Sequence, residues 1–141
     1  MAIVTIDGKD IEMIANAATG IVHERIFKED IMNLSQKIGQ EAAKKEELEV
    51  EEGKDPEYTE GDALAISLAK HLAFTMAMQA EFLGKEEKLM ALGEPQFIKW
   101  LTQFSNPFAI EEATEDIWGV YYGDDTPTAE AKKEAAPQTD H

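Results

Sequence analysis

Residues 60–83 read EGDALAISLAKHLAFTMAMQAEFL. Ala, Leu, Met and Phe occupy nearly every face of this stretch, and Ser67, Lys70, His71, Thr75 and Gln79 form its only polar strip. A helix apolar on most faces has to be enclosed by other elements, so the stretch predicts the central helix of a small bundle. It is also long enough to span a bilayer, but Lys70 and His71 at mid-span and the lack of a basic flank oppose that. Thr59 ahead of it is a candidate N-cap, with Glu60 and Asp62 placed to favour the helix dipole.

Towards the N-terminus, residues 44–57 (KKEELEVEEGKDPE) are dense in charge and contain Gly53 and Pro56. The second half reads as a solvated linker. A helix is expected before it, from about Glu29 to Glu47. Its apolar stripe is Ile31, Leu34, Ile38 and Ala42, with Met32 and Leu48 beside it. Gly39 interrupts that helix at a cost of up to about 1 kcal/mol relative to Ala. A shorter helix carries Ile21, Val22, Ile26 and Phe27, with Asn16 or Thr19 as its cap. Residues 1–14 read as a β-hairpin: Ile3, Val4 and Ile6 precede Asp7-Gly8, and Ile11, Met13 and Ile14 follow. Asp-Gly suits a type I′ turn, whose two central residues both need positive φ. A lone hairpin is marginal in water, so it must dock on helices or pair with another chain.

Towards the C-terminus, 84–93 is a connection with room for one helical turn at 86–92. Pro95 fits the start of a helix over 96–104 that aligns Phe97, Trp100, Leu101 and Phe104. Asn106-Pro107 repeats the start signal for a last helix carrying Phe108, Ile110, Ala113, Ile117, Val120 and Tyr121. Gly123, Asp124, Asp125 and Pro127 stop it. Residues 124–141 contain no apolar residue larger than Ala besides proline and are expected to be a disordered acidic tail. The expected architecture is therefore mainly α: a small helical bundle with an N-terminal hairpin over 1–123, then the tail.

Composition narrows the function. The chain of 141 residues carries 13 Lys+Arg against 29 Asp+Glu, a net charge of −16. That charge repels phosphate backbones and anionic membrane surfaces, so neither nucleic acid nor membrane is an expected partner. The absence of cysteine removes disulfides, thiolate metal sites and Cys nucleophiles, and it fits an intracellular protein. MAIVTIDGKD reads as neither a signal peptide nor a span.

No motif supports catalysis, and no enzyme activity, cofactor or metal is expected. His23, His71 and His141 have no His or Cys at metal-ligand spacing, and His71 reads as a surface residue of the bundle. Acidic pairs such as Glu111 and Glu115 read as a solvated face. No EF-hand, Walker, Rossmann or G-x-S-x-G pattern is present. Tyr122-Gly123-Asp124-Asp125 matches the YGDD turn of some polymerases, but the chain is too short and too acidic for a template channel. It reads as a helix stop.

The aromatics are more informative. Phe97, Trp100, Phe104, Phe108, Trp118, Tyr121 and Tyr122 crowd into the last folded quarter. The simplest reading packs them on the core helix. The rival reading makes them, with Met76 and Met78, an apolar surface for a partner.

The order of segments resembles the tail assembly chaperones of long-tailed, non-contractile phages infecting Gram-positive bacteria. Four features over residues 1–122 carry the resemblance. The hairpin Ile3-Val4-Thr5-Ile6-Asp7-Gly8-Lys9 looks like the family's opening β-turn-β. The stretch from His23 to Ile31 (HERIFKEDI) is similar to its arginine…Phe-x-x-Asp-hydrophobe signature. The stretch from Phe97 to Phe104 (FIKWLTQF) looks like its Phe-x-x-Trp-Leu segment. A charged linker and a polar tail complete the layout. Lys28 departs from the pattern, because some relatives have Gly after the phenylalanine.

The resemblance implies a protein of the host cell cytoplasm that binds the long, helical, aggregation-prone tape measure protein. It keeps that protein soluble, promotes assembly of tail tube protein around it and is absent from the mature virion. Self-association and a longer frameshifted product are further implications. The alternative is an acidic DNA-mimic inhibitor of a nucleic-acid-binding host protein. A mimic spaces its carboxylates along one surface, whereas here they cluster in 46–57 and the tail.

Overall fold

The structure, a computed structural model, describes residues 1–52 and 60–123, with side chains for 1–47 and 61–123. Most of the expected linker, the Thr59 cap and the 124–141 tail lie outside the described residues. In chain order the elements are β1 (Ala2–Ile6), β2 (Lys9–Met13), α1 (Thr19–Phe27), α2 (Ile31–Glu52), α3 (Glu60–Glu81), α4 (Glu86–Met90), α5 (Glu94–Leu101), α6 (Ala109–Glu112) and α7 (Thr114–Tyr121). The protein is mainly helical with an N-terminal antiparallel hairpin.

The central helix is α3. Leu68, Leu72, Phe74 and Met76 are fully buried, and Ala69, Ala73 and Ala77 between them let neighbours approach closely. Strand β2 and helices α1, α2, α5, α6 and α7 all pack on α3. The expected polar strip does not face solvent: Thr75 and Gln79 are buried and His71 is half-buried, because the strip packs against α1. Thr19 donates to Gln79 Oε1 at 2.7 Å, and Gln79 Nε2 donates to Asn16 Oδ1 at 3.2 Å. Burial of these polar groups is tolerable because each finds a partner.

In the hairpin, Val4 opposes Ile11 and Ala2 opposes Met13. Val4, Ile6 and Met13 point into the core, and Ile3 and Thr5 point out, the alternation of a half-buried strand pair. Asp7 (φ 53°) and Gly8 (φ 77°) both adopt the left-handed conformation that the Asp-Gly turn requires. The Asp7 carboxylate accepts the Ser105 backbone N–H at 2.8 Å, tying the turn to the connection after α5. Backbone N–H of Ile14 donates to the Met76 carbonyl at 3.0 Å. The hairpin is thus docked on helices, the first of the two solutions open to it.

Helix α1 ends at Lys28, which is left-handed (φ 58°, ψ 37°) and donates its N–H to Glu24 O. This position favours glycine, and Lys28 occupies it here. Asp30 then accepts the Asn33 N–H at 3.0 Å and starts α2. Neither Asn16 nor Thr19 is the N-cap of α1: the capping position is Ala18, with Asn16 Oδ1 accepting its N–H just outside the helix.

Helix α2 extends to Glu52, beyond the expected end at Glu47, because the Lys- and Glu-rich segment there is made of good helix formers. On it, Met32 and Ala42 are exposed while Ile31 is buried. The expected single last helix is broken. At Ala113 (φ −101°, ψ 6°) the chain leaves helical geometry. The Ile110 carbonyl is taken instead by Ala113 N at 3.0 Å and by the Thr114 hydroxyl at 3.1 Å.

Candidate functional site

The most distinctive polar arrangement lies between α1 and α3. His23, on α1, is fully buried. Its Nδ1 pairs with Thr75 Oγ1 at 2.9 Å, and its Nε2 lies 2.8 Å from Glu29 Oε1. The same Oε1 lies 2.9 Å from His71 Nδ1, across 42 residues of sequence. The left-handed Lys28 ends α1 immediately before Glu29, whose carboxylate reaches a nitrogen of each ring. Phe27 stacks on His71 with ring centroids 4.0 Å apart, and Phe97 meets His71 edge-on at 5.1 Å.

Glu29 and His71 keep about a fifth of their side-chain surface exposed, 21% and 20%. Burial by itself raises the Glu29 pKa. Hydrogen bonds from both imidazoles, aided by their charge, outweigh that and hold it at about 2, below the ordinary 4.5. Glu29 is therefore ionised under all physiological conditions. Within the described residues, His23, Glu29 and His71 form a group whose donor atoms lie close enough together to share a metal ion. His71 is thus not the simple surface residue that the polar strip suggested. No local spacing announces the node, since each histidine's partners lie on another element.

The nine aromatic and methionine residues expected to contact a partner separate into three environments. Met76, Met78, Phe97 and Phe104 are buried in the core. Trp100, Trp118 and Tyr121 are half-buried. Phe108 and Tyr122 are exposed, at 58% and 69%. Phe74, Phe97, Trp100 and Phe104 form a continuous edge-to-face chain with centroids 5.2–5.6 Å apart. Trp118, Tyr121 and Tyr122 form a second cluster at the end of α7. There, burial first, then Tyr122 and Asp30, raise the Tyr121 pKa.

Two of the nine, Met78 and Trp100, also line an open cleft of about 460 Å³ between the hairpin and helices α3 and α5. Ile3 and Ile11 supply the rest of its large apolar surface. Asp10, Glu12 and Glu81 also line it, and none of its lining residues is basic. A cleft of this size is ordinary for a binding site. It suits an apolar segment flanked by basic residues.

No helix among the described residues is long and apolar enough to cross a membrane. Comparison with protein families, characterised proteins and solved structures found no match to this chain.

Proposed function

We propose that this protein is a tail assembly chaperone that holds an apolar helical segment of a tape measure protein. The observation that carries the reading is the cleft between the hairpin and helices α3 and α5, lined by Ile3, Ile11, Met78 and Trp100 together with three carboxylates and no basic residue. An amphipathic helix laid in such a groove buries its apolar face at i, i+3, i+4 and i+7. Two of the four features behind the resemblance, the stretches 23–31 and 97–104, meet in the fold through the edge-to-face contact of Phe27 and Phe97 at 5.1 Å. A charge of −16 disfavours aggregation of the complex. On this reading the protein is not an enzyme. It acts in the host cell cytoplasm, hands its client to tail tube protein and is absent from the virion.

Co-expression tests the reading. On this reading the client is a long helical protein, expected to be encoded beside this chain. Its soluble yield rises with this chain present and falls back when Ile3→Asp replaces it. Ile3 is half-exposed on the cleft wall, so the substitution changes the cleft and not the core. An unchanged client yield, or preferential capture of a DNA-binding protein, moves the assignment to the DNA-mimic alternative.

A further inference from the structure

We infer that His23 Nε2, Glu29 Oε1 and His71 Nδ1 form a binding site for one divalent transition metal ion, with zinc the preferred occupant.

The hydrogen-bond directions motivate the site. Thr75 Oγ1 lies 3.0 Å from the His71 carbonyl, and a carbonyl can only accept. With the hydroxyl proton directed there, His23 Nδ1 is the donor to Thr75. In the neutral ring, Nε2 then carries a lone pair, and that lone pair faces a carboxylate oxygen at 2.8 Å. In the metal-free chain a proton on Nε2, donated to the Glu29 carboxylate, occupies the space between them; a divalent ion can take the place of that proton on the same lone pair. A ring nitrogen that binds metal while the opposite N–H is held by a fixed acceptor is the usual arrangement of a metal-ligating histidine.

The remaining geometry agrees. Two imidazole nitrogens and one carboxylate are a donor set that zinc takes with a water in the fourth position. The partial exposure of Glu29 and His71 leaves the site open to solvent, which supplies an entry path. The ring of His71 is fixed in orientation by Phe27 and Phe97. The three donor atoms all lie within 4.8 Å of one another. With bonds of about 2.0–2.1 Å at tetrahedral angles, donors around zinc sit about 3.3 Å apart. The N···O separations of 2.8 and 2.9 Å must therefore widen by a few tenths of an ångström. Glu29 stands on the connection between α1 and α2, outside both helices, and can retreat that far. Bound there, the ion joins α1, the connection and α3.

The experiment uses the full chain, dialysed against chelator and then titrated with Zn²⁺. The expected result is one zinc per chain and a higher melting temperature. At a free zinc concentration about a hundred times Kd, the folded-to-unfolded ratio rises about 100-fold. Co²⁺ is expected to give the visible absorption of a tetrahedral site, and Ca²⁺ and Mg²⁺, which prefer all-oxygen cages, to give no shift. Glu29→Gln and His71→Ala each weaken zinc binding by more than tenfold. Thr75→Val, which removes the acceptor for His23 Nδ1 together with the hydroxyl's own bond to the His71 carbonyl but touches no metal ligand, weakens it about 10–100-fold. If a variant fails to fold, ring ¹⁵N shifts of the unmodified chain decide: Nε2 of His23 and Nδ1 of His71 move with zinc, and their opposite nitrogens do not. The inference is overturned by no zinc uptake, by a response shared with Mg²⁺, or by affinity unchanged in folded variants. It is also overturned if both His23 nitrogens carry protons in the presence of zinc.

Discussion

Lys28 is where a single side chain most visibly works against its backbone. A non-glycine residue in the left-handed region costs on the order of 1–2 kcal/mol, partly offset by the extra chain entropy that glycine loses on folding. Lys28→Gly is therefore expected to raise unfolding stability by up to about 1 kcal/mol, and Lys28→Val to lower it by about 1 kcal/mol. Urea melts measure both, and equal stabilities for the two variants contradict the assigned conformation. Its neighbour Glu29 makes a second forecast. Its folded pKa of about 2 lies below the ordinary 4.5. A depressed acid contributes fully above about pH 4.5, and its contribution is lost as pH falls towards 2. In chelator-treated protein, stability between pH 5 and pH 2 is expected to fall more steeply for the native chain than for Glu29→Gln. Parallel curves contradict the proposed hydrogen bonds.

At the scale of elements, the hairpin and α3 show what local pattern can reveal. Asp7-Gly8 announces a turn because its chemistry is complete within two residues, and both carry positive φ. The apolar wrapping of 60–83 announces a central helix because enclosure is the only way to bury every face. The polar strip on the same helix misleads for a related reason. Periodicity treats a polar face as a solvent face, whereas Thr75 and Gln79 meet Thr19, His23 and Asn16 on the α1 side. The node of His23, Glu29 and His71 was illegible because it exists only after α1 has docked on α3. The role of Asp7 in reaching Ser105 was illegible for the same reason. That contact makes a prediction for the element. Asp7→Ala loses both the positive-φ preference and the acceptor for Ser105, and is expected to cost about 1–2 kcal/mol. Asp7→Asn keeps both and retains most of that stability. Thermal melts that rank the two variants equally contradict the docking role of the turn.

At the scale of the molecule, the excess of acid over base and the apolar residues of the cleft make different demands on a partner. If the carboxylates carry the interaction, affinity depends on charges screened over about 8 Å at 0.15 M salt and over about 4–5 Å at 0.5 M. If Ile3, Ile11, Met78 and Trp100 carry it, burial of apolar surface dominates and salt matters little. The most direct measurement is the affinity of the full chain for a purified helical segment of the candidate tape measure protein at these two salt concentrations. The expected result is an affinity that changes less than about threefold between them and is abolished by Ile3→Asp in a protein that still folds. Binding lost at 0.5 M salt, or indifferent to Ile3→Asp, contradicts the chaperone reading.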